Sequence, residues 1–359
     1  MTSATSTATA PGAAPLERTD SQSGYIVGPL YDWLLFLGTP IAALAVGFLI
    51  SGTRFADDFF EFHGWDVTGS TLMLGIIIHA HLVAVFFRSH GNPKIFEAHP
   101  GRFILVPIVL YAGMLFSPWI FVIVSVTATF WDVYHSGMQT FGFGRIYDRK
   151  RGNDPMLGRK LDWALNVLLY AGPIIGGAAM IDHFEDFEEF ADVGDLFFTQ
   201  IPAYMEGIHG TLFWIALTVG SVFIVFYLVA YWRLSRRGYL VSWLKVWLYA
   251  STGFTSIFAW GFNAFGEAFF IMNLFHAIQY FGIVWAREKN QMASNFGLRN
   301  VAGGLGITLL LFLGLTGSYG YWVEQLATDV RPLWAITLVV SIMHFWYDGF
   351  IWSVRRREV

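Results

Sequence analysis

From Tyr31 onward the chain alternates long apolar runs with short polar or basic stretches. All but the third run come close to or exceed the roughly 20 residues that a bilayer core requires. The runs cover residues 31–51, 70–88, 103–115, 118–143, 162–181, 210–232, 241–261, 264–285, 301–321 and 333–353. The pattern predicts an all-α, polytopic integral membrane protein with about ten transmembrane helices. The third run is short and joined to the fourth through Ser117-Pro118. Residues 1–24, rich in Thr, Ala, Ser and Pro, have no apolar core and read as a disordered tail, which leaves 25–359 as a single helical membrane domain. No secretory signal is expected, since the first apolar run is too long and has no cleavage-type flank.

Composition agrees with the pattern. The chain is 55% hydrophobic and 13% charged, with a mean hydropathy of +0.52, whereas soluble domains carry about 25% charged residues. Aromatic residues reach 18%, with Trp and Tyr placed near the ends of apolar runs, as in interfacial belts. The absence of cysteine excludes disulfides, thiolate metal sites and Cys nucleophiles.

The net charge of −4 matters less than where the charges fall. Arg88, Lys94 and Arg102 separate runs two and three. Six basic residues from Arg145 to Lys160 separate runs four and five. Arg233, Arg236 and Arg237 follow run six, Arg287, Lys289 and Arg299 follow run eight, and Arg355, Arg356 and Arg357 end the chain. The alternate loops are short or acidic, notably residues 182–189. The positive-inside rule then puts both termini in the cytoplasm. The expected location is the cytoplasmic (inner) membrane of a bacterium, in contact with membrane lipids.

Within this apolar pattern, runs two, four, eight and ten each hold a histidine well before their cytoplasmic arginine. His79 precedes Arg88 by nine residues (88 − 79), His135 precedes Arg145 by ten, and His276 and His344 precede Arg287 and Arg355 by eleven. At about 1.5 Å of rise per residue, all four lie roughly 13–17 Å from the boundary. Polar groups at that depth are costly unless they serve one another, a cofactor or a substrate. His79, His135, His276 and His344 are therefore the expected metal ligands, with four separate interhelical hydrogen bonds as the alternative. His81, Gln139, Gln279 and Asp348 form a second layer up to about a turn closer to the cytoplasm, and Asp132 shares the His135 face at i, i+3. These five are expected to orient rings or serve as alternative ligands. His79 and His81 are about 200° apart on a straight helix and cannot face the same point. His63, His99, His183 and His209 read as surface residues.

A faint echo relates Asp32-Trp33 to Asp162-Trp163, and His135…Gln139-Thr-Phe-Gly142 to His276…Gln279-Tyr-Phe-Gly282. Either segments 31–145 and 162–287 are duplicated, with a C-terminal hairpin at 301–353, or the match is chance.

Without thiolates, an all-His centre in hydrocarbon suits non-heme iron better than zinc or copper. In ligand type, several histidines spread over many spans, it resembles the integral-membrane carotenoid-cleaving oxygenases of the bacteriorhodopsin-related class; the resemblance carries no residue roles. The HxxxH and HxxHH clusters of membrane desaturases and alkane hydroxylases are missing, since His79-Ala-His81 followed by His90 has other spacing. The leading expectation is a membrane oxidoreductase of oxygenase, hydroxylase or desaturase type, acting on an apolar lipid or isoprenoid substrate and drawing on an electron donor. The alternatives are a heme-b electron carrier, with paired histidines as axial ligands, and a proton-coupled transporter with a His/Asp relay. Gly303-Gly-Leu-Gly306 lacks the context of a nucleotide loop, and nothing suggests nucleic-acid binding.

Overall fold

A computed structural model describes residues 24–180, 191–326 and 330–352. The acidic stretch 182–189 with its His183, the arginines at 355–357 and the tail up to residue 23 lie outside the described residues. Among the described residues 81% are helical and 3% are in strands. Helices occupy each apolar run, with the short α3 and α6 between runs: Pro29–Asp32 (α1), Thr39–Ile50 (α2), Arg54–Asp57 (α3), Gly69–Ala84 (α4), Phe86–Ser89 (α5), Pro93–Ala98 (α6), Pro100–Phe116 (α7), Pro118–Lys150 (α8), Arg159–Ile175 (α9), Ala191–Ser235 (α10), Trp243–Phe262 (α11), Phe265–Asn295 (α12), Gly304–Val323 (α13) and Arg331–Ile351 (α14). Among the described residues five helices are long and apolar enough to cross a membrane, or six if a bent pair counts as one span.

That pair is α1 and its π-helical continuation Trp33–Leu37, followed by α2 at an angle of 53°. Gly38 sits at the break because a Cβ there would lie 2.6 Å from Trp33 O. Pro40 then starts α2, where its missing N–H costs nothing. The only strands among the described residues form a hairpin in the loop before α4, β1 (Phe59–Phe62) with β2 (Trp65–Thr68), Phe62 opposite Trp65. Its two turn residues, His63 and Gly64, both have positive φ, at 51° and 89°, as a type I′ turn demands. Thr68 ends the hairpin and caps α4, its hydroxyl accepting from Thr71 N at 3.2 Å.

The helices sort by how deeply they are buried. In α12 the apolar window is 78% buried, and it packs on α2, α4, α11 and α13; it is the central element. In α10 the figure is 6%, and Trp214, Val222, Val225, Phe226 and Leu228 all face outward. So much continuous apolar surface has no place in water and matches a lipid-facing exterior.

Buried charge replaces surface charge at two places where loop cations were expected. Arg145 donates to Asp148 Oδ2 at 2.6 Å and Asp162 Oδ2 at 2.5 Å. Lys245 reaches the same two oxygens at 2.8 and 3.1 Å. Two cations face two carboxylates, and Tyr227, Tyr231 and Tyr239 donate to the remaining carboxylate oxygens. Arg88 likewise turns inward, pairing with Glu288, donating to Ile351 O and lying over the Trp352 ring.

Candidate metal centre

Four helices, α4, α8, α12 and α14, bring His81, His135, His276 and His344 into one buried cluster. Ring centroids run round a closed circuit: His81–His276 5.0 Å, His276–His135 5.1 Å, His135–His344 4.7 Å and His344–His81 5.0 Å. Neighbouring planes are tilted by 72–90°. One ligand atom each from His81, His276 and His344 lies within 4.8 Å of the others, and the same holds for His135, His344 and Asp348.

Three of the expected ligands are in this cluster and the fourth is not. His79 faces away from it: its Nδ1 lies 3.0 Å from Glu324 Oε1 and 2.9 Å from Gly75 O. The reason is twofold. Equal depth along the sequence takes Arg88 as a boundary residue, but Arg88 is buried and marks no boundary. In addition, α4 packs closely on α13, so the His79 face meets the end of that helix, and His81, about 200° around, turns to α12 and α14.

Protonation follows from the hydrogen bonds. His344 Nδ1 lies 3.0 Å from Leu82 O, and a carbonyl only accepts, so Nδ1 carries the proton. In the neutral ring Nε2 is then a lone pair, and it lies 3.0 Å from His135 Nε2. An N–H···O=C bond that leaves the other nitrogen free to coordinate is the usual setting of a metal-bound histidine. At His81 and His276 neither ring nitrogen has a hydrogen-bond partner although both side chains are buried. Orphaned buried polar atoms cost about 1–3 kcal/mol each, and a ligand on these ring nitrogens would remove that cost. Imidazole nitrogens with one nearby carboxylate fit iron, zinc or copper.

Asp348 is poised at the edge. Its Oδ1 accepts from Tyr280 OH at 2.9 Å and Trp352 Nε1 at 2.8 Å, while Oδ2 faces His135 Nε2 and His344 Nε2, each at 3.9 Å. Gln139 and Gln279 do not orient rings as expected. Gln139 Nε2 donates to His276 O at 3.0 Å and Gln279 Oε1 at 3.2 Å, and Gln279 Nε2 donates to Phe36 O at 2.8 Å. They tie α8, α12 and the π-helical turn together by backbone contacts. Asp132 is also apart from the rings. It lines a separate cavity of about 260 Å³ with Ser136, Tyr170, Trp260 and Asn273. Among the residues taken for surface, His209 is half-buried, its Nε2 3.0 Å from Gly177 O.

Sequence reasoning missed Tyr280 and Trp352. Both are aromatic residues in apolar runs, where nothing in the pattern separates a hydrogen-bond donor from packing. A larger cavity of about 690 Å³ opens on the cluster at His135 and Asp348. Comparison of the chain with protein-family models, with curated proteins and with solved structures finds no match.

Proposed function

We propose that His81, His135, His276 and His344, with Asp348 beside them, hold a single transition-metal ion, iron in the first place, and that the protein is a membrane oxidoreductase acting on an apolar substrate. The observation that carries this is the convergence of four buried imidazoles from four helices, with both ring nitrogens of His81 and of His276 lacking hydrogen-bond partners. When bound, iron supplies redox chemistry toward dioxygen. The chain contributes the rest. Leu82 O holds His344 in the tautomer that leaves the lone pair on Nε2, and Tyr280 and Trp352 hold the Asp348 carboxylate toward the rings. In this reading all ten apolar runs cross the bilayer and both termini are cytoplasmic, in keeping with the basic loops.

The other two expectations have less support. Heme ligation needs two imidazoles facing across a macrocycle, and rings 4.7–5.1 Å apart leave no room for one. Transport would use the carbonyls freed at the broken helix, yet Phe36 O accepts from Gln279 and Leu37 O from Trp247 Nε1.

Elemental analysis and the visible spectrum of the purified protein test the proposal. We expect a single iron per chain without a Soret band, lost in His81→Ala, His276→Ala and His344→Ala but kept in His79→Ala and His99→Ala. Full metal content in the first three variants, or none in the wild type, would overturn it.

A further inference from the structure

We propose that the cavity beside His135 and Asp348 binds a single-chain amphiphile with an anionic head, its carboxylate or phosphate at Arg159 and Lys160 and its apolar chain directed toward the histidine cluster. The inference names the substrate class for the metal-site reading above, but occupancy of the cavity does not depend on the metal.

The lining is divided by chemistry. Its body is apolar and aromatic, with Trp131, Met138, Phe143, Phe345 and Trp346. Arg145, Arg159 and Lys160 line it as well. Arg145 is neutralised by Asp148 and Asp162, whereas the side chains of Arg159 and Lys160 have no carboxylate partner among the described residues. Asp348 is the only acid in the lining, and it belongs to the cluster end. Two uncompensated cations at one end of an apolar slot favour an anion there, and a neutral hydrocarbon would leave them unused.

Position supports the same occupant. Arg159 and Trp163 are i and i+4 on α9, so they share a face. Trp163 Nε1 donates to Tyr134 OH at 3.2 Å, and both rings are half exposed, as at a lateral opening. Basic and aromatic side chains at a helix end mark the headgroup level of a bilayer. Arg159 Cζ lies 5.8 Å from the Phe141 ring centroid. Phe141 is six residues beyond His135 on α8, about 9 Å of helix rise. A head held there presents an interior carbon of its chain, not the head itself, to the cluster. The volume of about 690 Å³ is that of a small-molecule site and takes one chain rather than a two-chain phospholipid.

The test uses full-length protein in non-ionic detergent, with cis-parinaric acid and its methyl ester as probes and energy transfer from tryptophan as the readout. We expect saturable transfer, with the acid bound about tenfold or more tighter than the ester. In the double variant Arg159→Gln/Lys160→Gln the acid should fall to the level of the ester while metal content is unchanged. Met138→Trp, which fills the slot, should weaken both probes. Displacement by palmitate identifies a carboxylate head, displacement by farnesyl phosphate a phosphate head. Equal affinity for acid and ester, wild-type binding by the double variant, no saturable transfer, or displacement by neither competitor would each overturn the proposal. Binding should survive chelation of the metal, so failure of the metal reading and failure of this one are told apart.

Discussion

Asp348 shows how much one side chain can be asked to do at the residue scale. Tyr280 and Trp352 satisfy Oδ1, which leaves Oδ2 facing two imidazoles, the only carboxylate grouped with the cluster among the described residues. One negative charge among neutral rings partly neutralises a divalent cation where the dielectric is low. Asp348→Asn keeps the shape and one acceptor but removes the charge. Metal titration of this variant should show affinity lowered by about 10–100-fold if Asp348 only supports a ligand, and by more if it binds directly. Wild-type affinity would remove it from the site. Gln139 and Gln279 teach the opposite lesson. Their one-turn spacing from a histidine was legible, but their amides were claimed by backbone carbonyls on neighbouring elements. Spacing along a helix names a face and leaves the partner open.

At the scale of elements, the choice between His79 and His81 is made by how α4 meets α13. Gly320 is where they touch: a Cβ there would lie 2.1 Å from Ile76 O and 3.2 Å from Ala80 N, one residue from His81. Backbone cannot yield as a flexible side chain can, so Gly320→Ala must push the helices apart. Overpacking of this kind costs about 1–3 kcal/mol. The variant should melt at a lower temperature and lose part of its metal through displacement of His81. Gly314→Ala on the same helix, where a Cβ meets nothing within 4 Å, should do neither. Equal melting temperatures would show that the two helices are not in close contact.

For the whole molecule, buried charge joins the helices and exposed charge gives the test of orientation in the bilayer. The network of Arg145, Asp148, Asp162 and Lys245 ties α8, α9 and α11 together, and Tyr227 and Tyr231 bring in α10. Arg151, close by, is exposed and is expected on the cytoplasmic side, while Asp66 in the hairpin is exposed and expected on the other. Single cysteines at these positions in a Cys-free chain can be labelled with an impermeant reagent. Asp66→Cys should react from outside and Arg151→Cys only after the membrane is opened. Reaction of both from one side would remove the topology proposed here.

Helical membrane character, the positions of the long apolar helices and three of the four clustered histidines were legible along the chain. These follow from local quantities: the length of an apolar run, the cost of a polar group inside it, and the fixed angle between successive residues on a helix. Tertiary structure decided which face of each helix turns inward, and so replaced His79 by His81. It decided that Arg88 and Arg145 are buried partners of Glu288, Asp148 and Asp162 rather than boundary markers. It also decided that Tyr280 and Trp352 serve Asp348. Trp352–Asp348 and Arg145–Asp148 are local pairs, but the others join residues as much as 263 positions apart, as for Arg88 and Ile351, and no periodicity within one helix encodes its neighbour.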